Sequence, residues 1–247
     1  MTDLAPTATD RQPLVRREVV SFVRRSSRMR AGQRRAWEQH RNAFVIDVPR
    51  LETSTSVRPD CDLDLDEEFG RQAPLIVEIG PGTGESLVPM ARARPECNIL
   101  AFEVYQPAIA RIINGLLADD VDNVRVIAAD AVAGLTHLLP ERSLDELWTF
   151  FPDPWPKPRH HKRRLIQPAF ADLVATRLKY RARWRLATDC SSYAESIRGV
   201  LDDHPGLAAE HEYEGAPRWA SRPPTRFEQR GVLAGRPVFD LTYRRVS

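Results

Sequence analysis

Lysine is almost missing from this sequence. Three of the 36 basic residues are lysines (Lys157, Lys162 and Lys179), and the rest are arginines. Cysteine is equally scarce: Cys61, Cys97 and Cys190 lie far apart, with no CxxC or Cys/His spacing. That excludes a disulfide framework and gives no reason to expect a zinc site or any other metal. No apolar run approaches the length needed to cross a bilayer. The opening MTDLAPTATDRQP lacks the apolar stretch of a secretory signal. These absences lead us to expect a reduced, cytoplasmic protein without a membrane partner. Surplus charge is lacking too. The formal net charge is +2, so the overall balance names no partner.

The distribution of charge says more. Between Arg11 and Arg41 ten arginines face two glutamates, Glu18 and Glu38, whereas Asp60 to Glu68 holds six acids and no base. Local basic patches on a nearly neutral protein fit a directed polyanion surface. Two of the three lysines fall in one run, FFPDPWPKPRHHKRR, from Phe150 to Arg164. It places Asp153-Pro154-Trp155-Pro156 directly before a basic cluster. A carboxylate beside aromatic surface suits a planar base, and the cationic tail suits a phosphate backbone. In a chain that otherwise uses arginine, lysine here supplies a compact point charge instead of a planar fork.

Residues 1–20 read as a disordered tail, polar and rich in proline and threonine. Residues 21–247 read as one domain with an N-terminal basic arm. The arm carries spaced apolar positions and then Gln33 and Trp37, and it docks either on the domain or on nucleic acid. Asp60 to Gly70 is an acidic linker or an exposed helix start. From Ala73 onward, short apolar runs alternate with helical spacing. Strands are expected at Leu75–Ile79, Asn98–Val104, Val124–Ala128, Asp145–Phe151 and Trp184–Thr188. Helices are expected at Glu85–Arg94, Pro107–Ala118, Val132–Leu139, Pro168–Leu178 and Tyr193–Leu201. The alternation predicts an α/β fold with a doubly wound, mostly parallel sheet. Val238–Arg244 alternates apolar and polar residues and predicts an antiparallel edge strand.

The first strand closes with Val77-Glu78-Ile79-Gly80-Pro81-Gly82-Thr83-Gly84. Glycines let the backbone turn tightly and approach a ligand. A dinucleotide fingerprint requires G-x-G-x-x-G, but Glu85 stands at its third glycine and would face a pyrophosphate unfavourably. The G-x-G-x-G spacing after Glu78 instead resembles motif I of S-adenosylmethionine-dependent methyltransferases. Glu103 ends the second expected strand, where a carboxylate accepts ribose hydroxyls. Asp130 follows the third, where an acid accepts from an adenine amino group or caps a helix. With Asp153, four acids stand at four successive strand ends, the edge where such sheets bind ligands.

The substrate half leaves two chemistries open at first. Asp-Pro-Trp-Pro has a general likeness to the D-P-P-aromatic motif of enzymes that methylate exocyclic amines. The longer segment discriminates between them. Phe150 to Lys157 followed by Arg159 to Arg164 closely resembles the signature of the tRNA guanine-N7 methyltransferase family. Ser21-Phe22-Val23-Arg24 with Arg28-Met29 and Gln33 is similar to that family's N-terminal basic block. Ala187-Thr188-Asp189 is similar to its A-T-D block, and Arg222 to Gly231 (RPPTRFEQRG) to its C-terminal block. The likeness runs from Ser21 to the C-terminus.

The resemblance implies a Rossmann-like class I enzyme that uses S-adenosyl-L-methionine to form 7-methylguanosine in the tRNA variable loop, conventionally at position 46. Carried over by motif, Glu78, Gly80, Gly82, Gly84, Glu103, Asp130 and Asp153 contact the cofactor, and Asp153 is the catalytic residue. Lys157, Asp189, Thr225, Arg226, Phe227 and Glu228 contact the substrate. Arg159, His160, His161, Lys162, Arg163 and Arg164 grip the RNA. Trp155 either stacks on the base or anchors its loop. Pro81 and Thr83 depart from the usual turn, and Arg226 stands where lysine is common. The assembly is a monomer or a homodimer. An RNA-binding module that has lost catalysis is the competing class.

Overall fold

The computed structural model describes residues 28–51, 53–211 and 218–247. The expected tail and the Ser21–Arg24 block lie outside the described residues. Among the described residues eight strands form one sheet in the order β1-β4-β3-β2-β5-β6-β8-β7. They are β1 (Val45–Ile46), β2 (Leu75–Ile79), β3 (Asn98–Phe102), β4 (Val124–Ile127), β5 (Leu144–Phe150), β6 (Leu178–Thr188), β7 (Leu207–Ala209) and β8 (Phe239–Arg245). Every pairing from β1 to β6 is parallel. The C-terminal strand β8 runs antiparallel to β6, and β7 pairs antiparallel with Tyr243 to Arg245 of β8.

Both faces of the sheet are covered, which is why its central strands are continuous apolar runs rather than alternating ones. On one face Ile76, Ile99, Ala101, Val124, Val126 and Trp148 meet α1 (Ala31–Phe44), α3 (Leu87–Arg92) and α4 (Gln106–Ala118). On the other, Val77, Leu100, Phe102, Ile127, Leu147 and Trp184 meet α5 (Ala131–His137), α6 (Pro168–Arg177) and α7 (Ser191–Leu201). The chain passes outward from β2 through β3 to β4, then returns to β5 on the other side of β2. The switch point therefore lies at the carboxyl end of β2, where a doubly wound sheet opens a crevice.

The described part of the basic arm docks on the domain. Gln33 Nε2 donates to Pro107 O at 2.7 Å, and Ala36 and Phe44 of α1 are buried. The acidic stretch forms a short helix, α2 (Leu65–Phe69), capped by Asp64, which accepts from the N–H groups of Asp66 and Glu67. Strand β6 is longer than its apolar run because Lys179, Tyr180 and Arg181 are exposed. The pairing with β5 is irregular there, and Arg181 has a φ of 66°. Among the described residues no helix is long and apolar enough to cross a membrane.

Candidate active site

The glycine turn sits at the switch point. Gly80 N–H donates to Phe102 O at 2.9 Å, tying the turn to β3. Gly82 (φ 58°) donates to Glu103 Oε2 at 3.0 Å. Gly84 (φ 78°) admits no side chain, because a Cβ there would lie 2.9 Å from Ile112 Cγ1. The left-handed backbone at both positions is one that glycine adopts without steric cost.

Two carboxylates meet beneath this turn. Glu78 is buried in β2, and its Oε2 accepts no hydrogen bond among the described residues. Burial, then the neighbouring Glu103, pushes its pKa up to about 8. Glu103 accepts from Gly82 N–H and, at 2.9 Å, from Tyr105 N–H; burial raises it too, against those bonds. An orphaned buried carboxylate beside a second acid is short of positive charge. The donor set therefore fits a ligand that brings a cation and hydroxyl groups. Asp130 caps α5, its Oδ1 accepting from Val132 N–H at 2.9 Å and Ala133 N–H at 3.1 Å. Its own N–H donates to Thr55 O, so the loop before β2 reaches this end of the sheet.

At the end of β5 the backbone turns sharply. Phe151 (φ 51°) and Trp155 (φ 41°) occupy the left-handed region, a strained choice for aromatic residues. Phe151 N–H is held by Ala187 O at 2.7 Å. Asp153 is exposed between these two residues. Trp155 lies edge-on to His160 at 5.8 Å, and Arg163 stacks over it at 5.0 Å, so it anchors its own loop. Pro158–Arg163 form a 3-10 helix on which Arg159, Lys162 and Arg163 are exposed, as is Lys157 just before it. Partial desolvation, together with Arg163, Lys157 and Lys162, lowers the His160 pKa. His161 buries its Nε2.

Arg164 is placed apart from the exposed cations that precede it. It is buried, donating to Pro154 O at 2.9 Å, Ser192 O at 3.1 Å and Ser192 Oγ at 3.2 Å, with its guanidinium over the Tyr193 ring. It braces the Asp153 turn against α7 and has no free surface with which to grip RNA.

The C-terminal block folds back over the same edge. Thr225 caps α8 (Arg226–Leu233), accepting from Glu228 N–H at 3.1 Å. Arg226 N–H donates to Glu85 Oε2 at 2.8 Å, fastening α8 to the glycine turn. Phe227 is 46% exposed and lies edge-on to Phe151 at 5.3 Å. Glu228 points inward from the same helix. It is buried and accepts from Arg218 at 3.1 Å and Arg222 at 2.7 Å. Arg222 is 0% exposed, and it also pairs with Asp240 of β8 at 2.9 Å and packs over Phe150 and Phe151. Asp189, just beyond β6, accepts from Arg236 Nε at 2.7 Å. Glu85, Arg218, Arg236 and Asp240 were not singled out as site residues in the sequence. Only Arg222 stood inside a recognised motif.

The family model described as "Putative methyltransferase" matches residues 72–241. The tRNA (guanine-N(7)-)-methyltransferase of Cutibacterium acnes is 53% identical over 235 residues, 94% of this chain and 85% of that protein. The protein of the same name from Stutzerimonas stutzeri is 40% identical over 248 residues, the full length of both. Among solved structures, the 16S rRNA (adenine(1408)-N(1))-methyltransferase of Catenulisporales acidiphilia superposes with a TM-score of 0.50 at 15% identity, over 75% of this chain and 92% of that one. TrmN from Thermus thermophilus gives 0.50 at 16% identity, over 70% and 44%. These last two show a shared fold alone. With a family match over most of its length and relatives of this identity, the chain belongs to the tRNA (guanine-N(7)-)-methyltransferase family.

Proposed function

We propose that this protein methylates N7 of guanine in tRNA with S-adenosyl-L-methionine as donor, the target being the variable-loop guanosine at conventional position 46. The observation that carries the reading is the buried Glu78 carboxylate, whose Oε2 has no partner among the described residues, beside Glu103 at the switch point, with exposed Asp153 and the cationic 3-10 helix one strand away. Bound there, the donor supplies an electrophilic methyl group on a sulfonium. Glu78 faces its positive charge, Glu103 its ribose hydroxyls and Asp130 its adenine amine, while Gly80, Gly82 and Gly84 let the backbone come close.

Guanine N7 carries an in-plane lone pair and no proton, so alkylation there needs no general base. What remains is orientation and electrostatics as positive charge spreads onto the base. Asp153 supplies a carboxylate for that charge. Asp189 accepts from the guanine N1–H and amine. Lys157, Thr225, Arg226 and Phe227 line the entry, and Phe227 offers an aromatic edge to a base that has left its stack. Arg159, Lys162 and Arg163, with His160 and His161 between them, track the backbone phosphates. This work is done in the cytoplasm, where the RNA is.

The test is transfer of labelled methyl from S-adenosyl-L-methionine to unmodified tRNA, mapped by alkali and aniline cleavage. Label should fall at a single 7-methylguanosine. Recovery as N6-methyladenine would overturn the reading, and no transfer would leave an RNA-binding module. Asp153→Ala should lower turnover by roughly a hundredfold or more while tRNA affinity stays within a few-fold, because a group acting in the transition state moves kcat and not binding.

A further inference from the structure

Asp189 and Arg236 form a pair that the family motif does not account for. The Arg236 guanidinium donates from Nε to Asp189 Oδ2 at 2.7 Å. It is brought there by the turn that ends α8: Gly235 takes a φ of 75°, and Arg236 N–H donates to Gly231 O at 3.0 Å. A Cβ on Gly231 would stand 3.3 Å from Asp189 Oδ2 and 3.1 Å from Arg236 Nη2, so a glycine keeps the space in which they meet. The acid is the inner partner and the guanidinium the outer one, with side chains 11% and 47% exposed. Among the described residues the only hydrogen bond on the Asp189 side chain is at Oδ2, which leaves Oδ1.

Fastening α8 does not require this pair. The buried Arg222 already joins Glu228 of α8 to Asp240 of β8, and Glu85 holds the helix at its first residue. The pair joins the turn after α8 to the end of β6 while the helix itself is fixed elsewhere, so its remaining effect is on the direction of the carboxylate. Asp189 directly follows β6, and its neighbour β5 leads into the Asp153 turn. The two acids thus stand on adjoining strand ends.

We propose that Arg236 is a positioning residue for the methyl transfer. It pins Asp189 by Oδ2 so that Oδ1 accepts from the Watson–Crick edge of the target guanine. This rests on the reading of Asp189 as a guanine contact. A free carboxylate turns about its bonds, whereas one held by a guanidinium presents a single oxygen in a fixed direction. Guanine offers donors on that edge at N1 and the exocyclic amine. Adenine offers an acceptor at N1, which a fixed carboxylate repels. A site built to accept from a donor rejects the analogue lacking it.

The experiment uses the full chain with unmodified tRNA and the same tRNA carrying inosine, which lacks the exocyclic amine, at the target position. Arg236→Gln, Arg236→Lys, Asp189→Asn and the Gln/Asn double variant are compared for kcat, KM and tRNA binding. Thermal melting and donor binding check the fold. Arg236→Gln should lose roughly tenfold or more in kcat and most of the preference for guanosine over inosine, with tRNA affinity little changed. Arg236→Lys, which keeps the charge, should recover part of both, and the double variant should be no slower than Asp189→Asn alone. A weaker tRNA affinity for Arg236→Gln with the base preference intact would make Arg236 a phosphate contact and overturn the proposal. So would full activity of Arg236→Gln beside an impaired Asp189→Asn. If Asp189→Asn itself keeps turnover and preference, the guanine-contact reading fails, and the proposal falls with it by a separately visible route.

Discussion

Glu85 accepts the backbone N–H of Arg226 at 2.8 Å, joining the glycine turn to the first turn of α8 across 141 residues of chain. A dinucleotide-binding turn would carry glycine at Glu85; here the carboxylate links the glycine turn to the C-terminal block. Glu85→Ala removes one charge-assisted bond, typically about 1.5–3 kcal/mol before solvent screening, and with it a 3.7 Å ion pair to the exposed Arg226 side chain that adds little. We expect donor affinity to fall roughly three- to tenfold and cleavage near α8 to become faster in limited proteolysis. Calorimetry and a timed protease digest check both. Unchanged donor affinity with a loosened α8 would confine the bond to holding the helix.

The raised pKa of Glu78 makes the protein's stability depend on pH. Its folded value of about 8 lies above the ordinary 4.5, so between those limits the native state binds a proton that the unfolded state has released. Stability is therefore greatest below that window and falls as pH rises through it, by up to about 1.4 kcal/mol per pH unit. Glu78→Gln should flatten this slope and leave the donor-free protein more stable at pH 8. On the proposed function the same substitution should weaken donor binding, because the negative charge that costs stability is the one assigned to the cation. Melting curves from pH 5 to pH 8, with and without donor, test the pair of effects. A slope that persists in Glu78→Gln would assign the titration to Glu103 or another group.

How much of this was legible in the sequence follows from what a sequence encodes. The five central strands stood out because a buried parallel strand must be apolar on both faces, as Leu75–Ile79 and Asn98–Phe102 are. The start of β6 did not, because Lys179 to Arg181 carry no apolar content. Strands β1 and β7, of two and three residues, are too short for a period to show. Topology placed Glu78, Glu103, Asp130 and Asp153 at strand ends, since in a doubly wound sheet those ends share one edge. Side-chain direction was not encoded in the same way. Arg164 and Glu228 stand in charged motifs, yet both point inward. The pairs Arg222–Asp240 and Asp189–Arg236 are separated by 18 and 47 residues, and no local pattern joins them.

The buried arginine gives a stability prediction. Arg222 is enclosed between Glu228 and Asp240 and packs over Phe150 and Phe151. Arg222→Ala would leave Asp240 without its guanidinium and Glu228 with Arg218 alone, and breaking such an enclosed ion pair typically costs about 3–5 kcal/mol. Arg222→Lys should recover little, because one ammonium cannot present parallel N–H groups to two acids. Denaturant melts should show a lower midpoint for both variants. A lysine variant as stable as the parent would mean that charge alone, without the fork, holds α8 to β8.

Two arginines next to each other in the chain should fail in different ways. Arg163 is exposed and stacked on Trp155, whereas Arg164 is buried against Pro154 O and Ser192. Replacing Arg159, Lys162 and Arg163 together by glutamine should weaken tRNA binding. It should also make the dependence of log affinity on log salt shallower by roughly one to three, about one per lost phosphate contact. At saturating tRNA, turnover should stay near the parent value, because these side chains position the backbone and do not meet the reacting base. Arg164→Gln should leave the salt slope alone, lower the melting temperature and reduce turnover, because the turn that carries Asp153 loses its tie to α7. Binding titrations at several salt concentrations, with single-turnover rates, separate the two. A shallower salt slope for Arg164→Gln would place its guanidinium on the RNA after all, and would require the turn around Asp153 to open when tRNA binds.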